Sequence, residues 1–289
     1  MIKGLLLVVV LVVFSAWWLA PPAARPLAAS SIAKPPRGAI HVHTRRSDGT
    51  GTVEEVAAAA AKAGLTFVIL TDHGDATREP DKPQYRGGVL VIDAVELSAD
   101  GGHVVALDLP KSPYPLAGEP RDVLDDIARL GGFAIAAHPG SAKPELRWTD
   151  WSVPVGGIEW LNADSEWRDE SRWLLLRALF TYPVRRVESV VSLLDRPDEV
   201  LRQWDVLTRE RRVVGVAAAD AHARVGLRTV GEPYDNSASI HIPGYEDSFR
   251  MFSISLPETA LSGDALADAK AVTAALRAGH VYSTIEIGR

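Results

Sequence analysis

The sequence predicts an α/β domain, and three observations carry that prediction. Apolar runs of strand length, such as Thr66-Phe67-Val68-Ile69-Leu70-Thr71 and Val213 to Ala219, are too continuous for strands with one wet face. They read as parallel strands covered on both sides. Segments with helical spacing and cap residues lie between them. Histidines and acids then fall at the ends of the apolar runs, where α/β folds collect ligands and catalytic groups. Composition narrows the chemistry. With no cysteine, disulfides and thiolate ligands are excluded, and any metal is left to His, Asp and Glu. The net charge is -6, with Lys and Arg dispersed, and the densest basic run, Arg209-Glu210-Arg211-Arg212, is broken by an acid. No nucleic-acid footprint is present.

In chain order, residues 1–20 open with Met1-Ile2-Lys3 and run apolar from Gly4 to Ala20. A basic start and an apolar run read as an export signal or a signal-anchor. Trp17 and Trp18 sit where an interfacial aromatic belt would lie, which favours an anchor; Ala23, Ala24, Ala28 and Ala29 offer small residues for cleavage. The domain is therefore expected outside the cytoplasm, membrane-tethered through residues 4–20 or released. Residues 21–37, with Pro21, Pro22, Pro26, Pro35 and Pro36, form a linker. Residues 38–289 are left for the folded domain.

That domain opens with a short strand ending in His41-Val42-His43. Residues i and i+2 of a strand share a face, so both imidazoles aim at one spot. Asp48 follows on a turn marked by Gly49. Thr52 and Glu55 make a capping box, Ala57 to Ala61 favour helix, and Gly64 ends it. The strand 66–71 delivers Asp72-His73-Gly74-Asp75. A strand over Gly88 to Leu97 carries Glu96, an acid costly to bury unpaired in so apolar a run. Gly101-Gly102 turns the chain into His103-Val104-Val105-Ala106-Leu107. Pro120 to Leu130 is an amphipathic helix, and Phe133 to Ala137 a strand ending in His138-Pro139-Gly140. Gly156 to Trp160 reads as a further strand, with Asn162 and Asp164 past its end. Helices are expected over roughly 166–181 and 197–210. The strand 213–219 ends in Asp220-Ala221-His222. Residues 229–247, which include His241, form a long polar loop of the kind that serves as a lid. A strand over Phe249 to Leu256, a helix over 264–278 and a strand from His280 to Ile287 complete the chain.

Six of the eight histidines (His41, His43, His73, His103, His138, His222) thus sit at or just past strand ends, with Asp48, Glu96 and Asp220 placed similarly. In a closed parallel barrel those ends meet at one mouth, and the nine side chains converge. That is too many ligands for one divalent ion and about right for three. Such a cluster polarises an oxygen-rich substrate and activates water near neutral pH. Arg45, Lys143, Arg147 and Arg224 follow ligand positions on loops and are candidate anion binders. His241 reaches the substrate if its loop folds over. Trp148 and Trp151, on a polar loop after His138, are candidates to line a pocket, and Asp72 is expected to orient a ligand histidine or cap its strand.

His41-x-His43, Ser47-Asp48-Gly49, Thr71-Asp72-His73, Glu96 with His103, Ala137-His138-Pro139 and Asp220-Ala221-His222 resemble, in order, the PHP (polymerase and histidinol phosphatase) family. The resemblance implies a distorted (β/α)7 TIM-like barrel, two or three Zn, Mn or Fe ions, and hydrolysis of a small-molecule phosphoester. It implies that His41, His43, Glu96 and Asp220 hold one metal. Glu96 would bridge to a second with His103 and His138, and Asp48, His73 and His222 would hold a third. The N-terminal segment and Leu276-Arg277-Ala278-Gly279-His280-Val281-Tyr282 are similar to the CehA/McbA-like branch. The family pattern places an acid directly after the Thr-Asp-His triplet, whereas Gly74 stands here before Asp75. The function expected is a metal-dependent phosphoesterase, with His222 or His103 protonating the leaving group. The same activated water also suits carbamates, esters and amides, and a non-catalytic metal-binding barrel is the third reading.

Overall fold

A computed structural model describes residues 2–23, 34–226, 239–240 and 242–285. Most of the expected lid, His241 included, lies outside the described residues. The chain begins with α1 (Ile2–Leu19), whose large apolar side chains are exposed, from Leu5 to Trp18. Its end is held by Arg177, whose Nε donates to the Leu19 carbonyl at 3.0 Å, and by Arg185, which donates to the Pro21 carbonyl. Among the described residues no helix is long and apolar enough to cross a membrane.

The domain proper starts with β1 (Arg37–Ala39) and α2 (Val53–Lys62). The capping box of α2 forms as the sequence predicts: Glu55 N donates to Thr52 Oγ1 at 3.2 Å, and Thr52 N to Glu55 Oε2 at 2.8 Å. β2 (Phe67–Leu70), β3 (His73–Gly74), β4 (Gln84–Arg86), β5 (Val89–Asp93), β6 (Val95–Ala99) and β7 (Gly102–Leu107) follow. The single strand expected over 88–97 is thus two, separated at Ala94. Next come α3 (Pro120–Arg129), β8 (Phe133–Ala136) and β9 (Gly157–Asn162).

The helix expected over 166–181 is broken. α4 (Ala163–Asp169) stops where Ser171 caps α5 (Arg172–Thr181), the Ser171 hydroxyl accepting from Leu174 N. α6 (Arg186–Val191), α7 (Asp198–Glu210), β10 (Val214–Ala218), β11 (Val225–Gly226) and β12 (Ser239–Ile240) follow. α8 (Tyr245–Met251) takes the first part of the strand expected over 249–256, leaving β13 (Phe252–Ser255). α9 (Ala265–Ala278) ends at Gly279, in the left-handed conformation at φ 66°, and β14 (Tyr282–Ile285) closes the described chain.

Among the described residues, twelve strands pair into two six-stranded sheets, in the orders β14-β13-β1-β2-β5-β4 and β10-β9-β8-β7-β6-β3, and β11 pairs with β12 alone. This corrects the barrel expectation: the structure is a mixed α/β fold with parallel pairs, and the described residues form no single closed barrel. Two departures from the (β/α) repeat account for it. The Gly101-Gly102 turn makes β6 and β7 an antiparallel hairpin, and β8 joins it antiparallel. The outer edge of β1 is taken by antiparallel β13. The sheets are nevertheless stitched past the end of β1, where Ala219 N donates to Ile40 O, Ala221 N to His41 O, and His43 N to Ala221 O, all at 2.9–3.1 Å.

Side-chain alternation explains the apolar runs. Phe67 and Ile69 of β2, Leu90 and Ile92 of β5, Val105 and Leu107 of β7, and Val214 and Val216 of β10 share one inner core. Val272 and Leu276 of α9 join it. The intervening residues point outward into helix layers: Val68, Leu70, Val89 and Val91 meet α2 and α8, while Val104 and Ala106 meet α3. Every position of such a strand is buried, so alternation is invisible in the sequence. Trp148 is also core, 1% exposed and packed with α3, which removes it from the candidate pocket residues; Trp151 packs partly buried against the same cluster.

Candidate metal centre

The nine side chains singled out by strand-end position come together. Glu96, fully buried on β6, is their centre. Its Oε2 lies 3.1 Å from His41 Nε2, 3.2 Å from His43 Nε2 and 3.2 Å from His73 Nδ1. Its Oε1 lies 2.7 Å from His103 Nδ1 and 2.8 Å from His138 Nε2. Asp220 Oδ1 stands 3.4 Å from both His41 Nε2 and His43 Nε2. Asp48 forms the outer side, 3.1 Å from His222 Nε2, 3.3 Å from His43 Nδ1 and 3.8 Å from His73 Nε2.

Local structure explains how each group arrives. Thr71 N bonds Val42 O, and Asp220 and His222 flank Ala221, whose backbone pairs with His41 and His43. The four side chains therefore leave two adjacent chain segments in register. Gly49 lets the Asp48 turn close on this segment, because a Cβ there would lie 2.2 Å from the His43 carbonyl oxygen. Tyr245 of α8 locks the same turn, its hydroxyl donating to His43 O at 2.8 Å and accepting from Gly51 N at 3.0 Å. Gly102 precedes His103 at φ 120°, against the Arg147 backbone, where a side chain would collide. Three of the group pay for their placement: His41 (φ 64°), His138 (φ 30°) and Asp220 (φ 42°) hold left-handed backbone conformations that L-residues rarely adopt.

The donor set fits divalent metal ions. Nitrogen and oxygen ligands about 2.1 Å from a tetrahedral ion stand about 3.4 Å from one another. The spacings among His41, His43, Glu96 and Asp220 are of that size. His41 Nε2 and His43 Nε2 are buried and make no hydrogen bond, although carboxylate oxygens face them. A buried nitrogen so placed is costly unless something else takes its lone pair. Four groupings have ligand atoms mutually within 4.8 Å: His43, Asp48, His73 and His222; His41, His43 and Glu96; His41, His138 and Asp220; and His73, Glu96 and His103.

The cluster also sets its own protonation. Burial alone would lower the His41 and His43 pKa values, but the facing carboxylates outweigh it. Asp220 and Glu159 hold His41 well above its ordinary value, and Asp220 with Glu96 pushes His43 up to about 10. His138 rises in the same way, against burial, through Glu96. The reciprocal effect drives Glu96, Asp220 and Asp48 well below the usual carboxylate range against the opposing effect of burial. His73 goes the other way, to about 4, because burial, with the His43 cation close by, outweighs Glu96 and Asp48.

Sequence reasoning missed one member. Glu159 of β9 is buried, accepts from His41 Nδ1 at 2.6 Å with Oε1, and accepts from His138 N and Asn162 Nδ2, each at 2.8 Å, with Oε2. It holds the Nδ1 proton of His41, so the lone pair exposed when a metal displaces the other proton is the one on Nε2, facing inward. The argument that flagged Glu96, an acid inside an apolar strand, applies equally to Gly157-Ile158-Glu159-Trp160-Leu161. Asp72 does something other than orient a ligand histidine. Its carboxylate receives Thr44 N and Thr44 Oγ1 at 2.7 Å and Ser47 Oγ at 2.8 Å, so it shapes the loop that carries Asp48. Asp75 bonds Thr77 at the surface and takes no part.

Of the four candidate anion-binding cations, only Arg224 is at the cluster, nearly buried and 3.1 Å from Asp48 Oδ2. Arg45 turns to the Thr50 carbonyl and Glu55. Arg147 donates to Ser141 O, and both Arg147 and Lys143 are exposed. His280 pairs with Glu258 at 3.0 Å, away from the nine.

An α/β chain that gathers imidazoles and carboxylates in this way has a centre that could hold divalent metal ions. Comparison with known proteins gives the family. The PHP domain family matches residues 39–102, a stretch holding five of the nine side chains and stopping just before His103. An uncharacterized protein of Methanocaldococcus jannaschii is 31% identical over 139 residues, which cover 43% of this chain and 80% of that protein. Among solved structures, a candidate metal-dependent phosphoesterase from Bifidobacterium adolescentis is 15% identical, with TM-score 0.42, over 69% of this chain and 93% of its own. A two-domain protein from Bacteroides vulgatus, containing a domain assigned as a PHP-like metal-dependent phosphoesterase, is 14% identical, with TM-score 0.46, over 91% of this chain and 70% of its own. The chain belongs to the PHP domain family and is, with that family, a hydrolase.

Proposed function

We propose that the chain is a metal-dependent phosphoesterase acting on a small-molecule phosphoester, with His41, His43, Asp48, His73, Glu96, His103, His138, Asp220 and His222 holding two or three divalent ions (Zn, Mn or Fe). The observation that carries this reading is Glu96, one buried carboxylate with five imidazole nitrogens within 3.2 Å. Bound ions supply Lewis acidity and activate water near neutral pH.

The chain's own residues supply the rest. Glu159 and the Asp220 carbonyl, which lies 2.9 Å from His222 Nδ1, fix how His41 and His222 face the centre. Arg224 is placed to receive a non-bridging phosphoryl oxygen beside Asp48. His222 or His103, whichever a metal leaves unengaged, would protonate the leaving oxygen; both keep some solvent contact, with side chains 15% and 11% exposed. The backbone stitching between His41–His43 and Ala219–Ala221 supports one shared mouth for strand ends of the two sheets, without a closed barrel. The basic start and apolar α1 support export, with the domain outside the cytoplasm.

The test loads the full chain with Zn, Mn or Fe and measures hydrolysis of aryl phosphate monoesters, methyl aryl phosphodiesters and aryl carbamates, beside Glu96→Ala. Phosphoester turnover lost by at least about 100-fold in the variant is expected. Equal rates in both proteins refute the mechanism, and faster carbamate turnover reassigns the substrate to carbonyl compounds.

A further inference from the structure

A cavity of about 220 Å³ opens directly beside the cluster, and its chemistry is unlike that of the centre. Asp220, His222 and Arg224 form its floor. Its walls are apolar. Leu175, Ala178 and Leu179 of α5 lie at i, i+3 and i+4 and so present one helix face to it. Leu193, Leu194 and Met251 face them from the segment after α6 and from α8. Burial pushes the carboxyl of Glu166, which also lines the cavity, up to about 7, as expected where water is scarce. A second hollow, of about 360 Å³, adjoins His73. It mixes charged groups, Arg46, Arg78, Asp75 and Asp81, with apolar ones such as Val95 and Leu109.

We propose that the substrate is amphipathic: its phosphoryl group sits at Arg224 and the metal ligands while an aliphatic or aromatic arm of the same molecule fills the cavity walled by α5. This rests on the phosphoesterase reading and narrows it. A wholly polar substrate such as a sugar phosphate would leave that wall against water and gain nothing from it. An apolar arm removes both surfaces from water, and His222, which borders centre and cavity alike, fixes where arm and phosphoryl group join. Ala178 and Leu179 are then specificity-determining residues.

The experiment uses the full, metal-loaded chain. Release of inorganic phosphate is followed from ethyl, butyl and hexyl phosphate, and release of the alcohol and phosphate monoester from their methyl diesters. In parallel, binding of ethylphosphonate and hexylphosphonate, which are not hydrolysed, is measured calorimetrically. Each methylene that reaches the cavity is worth up to about fourfold, so hexyl phosphate is expected to exceed ethyl phosphate in kcat/KM by on the order of 100-fold. Ala178→Phe, which fills the cavity, collapses that ratio. Leu179→Asp does the same from the half-exposed mouth, where a charge is compatible with folding. Turnover without chain-length dependence overturns the inference and leaves the phosphoesterase reading standing. Tighter binding of hexylphosphonate than of ethylphosphonate, abolished by either variant but without turnover of any ester, supports the cavity assignment and refutes the phosphoesterase reading. Neither turnover nor chain-length-dependent binding overturns both.

Discussion

Replacing Glu159 by Gln changes one atom and tests the logic of the centre. The carboxylate has two oxygens in use. Oε1 accepts from His41 Nδ1, and Oε2 accepts from His138 N and Asn162 Nδ2. Glutamine keeps one acceptor and gains a donor. If its oxygen takes the Oε2 position, the two bonds there survive, but the new amide N–H faces His41 Nδ1. That nitrogen can then only accept, so the imidazole, which the facing carboxylates keep doubly protonated in the wild type, loses its Nδ1 proton and keeps the one on Nε2, the atom 3.1 Å from Glu96 and 3.4 Å from Asp220. A protonated Nε2 cannot ligate a metal. If the amide flips, its N–H groups meet two buried donors, at about 1–3 kcal/mol each. The first arrangement costs the fold less. Glu159→Gln is therefore expected to fold with nearly unchanged melting temperature when metal-free and to lose metal affinity by about 10- to 100-fold. Metal per chain across graded chelator concentrations gives the affinity, and nitrogen chemical shifts of His41 give the tautomer. A variant that keeps wild-type affinity, or keeps the His41 proton on Nδ1, refutes the reasoning.

Three further perturbations separate the parts of the site. Asp72→Ala removes the acceptor of three hydrogen bonds from Thr44 and Ser47 and should cost about 3 kcal/mol in denaturant unfolding; an unchanged midpoint would show that the Asp48 loop holds itself. Because the facing carboxylates keep His41 and His43 protonated above neutrality, loading metal at pH 7 must displace protons, and affinity must fall as pH falls. Binding heats that do not vary with the ionisation enthalpy of the buffer would contradict this. Asp268 is independent of the centre. Burial opposes its ionisation, but Ser262 N, Tyr85 Oη and Gly263 N donate to it and hold its pKa at about 2. Its folded value lies below its unfolded one, so its stabilisation is complete above about pH 4 and is lost as pH falls towards 2. Asp268→Asn should flatten that acid limb of the stability curve of the metal-free protein.

What the sequence reveals about this molecule follows from what each element depends on. The metal-type side chains are legible because a strand end fixes a residue's place without knowledge of the rest of the fold, and because Glu96 interrupts an otherwise apolar run. The i, i+2 pairs His41-His43 and Asp220-His222 depend only on the strand repeat. The sheet arrangement is not legible in that way. Whether β6 returns antiparallel through Gly101-Gly102, and whether β13 takes the edge of β1, is decided by partners far along the chain. The helix break at Ser171 was readable as a cap, but the apolar spacing runs across it. Arg224 differs from Arg45 only in which acid lies nearby: Asp48, 176 positions away in the chain, holds one, and Glu55 on the adjoining helix draws the other.

The centre is also where local preference and global fold disagree most. His41, His138 and Asp220 sit in left-handed backbone conformations, each costing about 1–3 kcal/mol. The same three form one of the four ligand groupings. A chain selected for stability alone would place glycine or asparagine there and would not bury Glu96 among five imidazoles. The inner core bears that cost. Ile40 packs with Phe67, Ile69 and Ala218 directly beneath the ligand-bearing ends of their segments, so the strained residues are held by strands that are anchored on both faces. Strain held in this way has a chemical consequence. The imidazole and carboxylate atoms are fixed before any cation arrives, so binding spends little free energy on ordering them, and the site favours ions whose radii match the spacings already present.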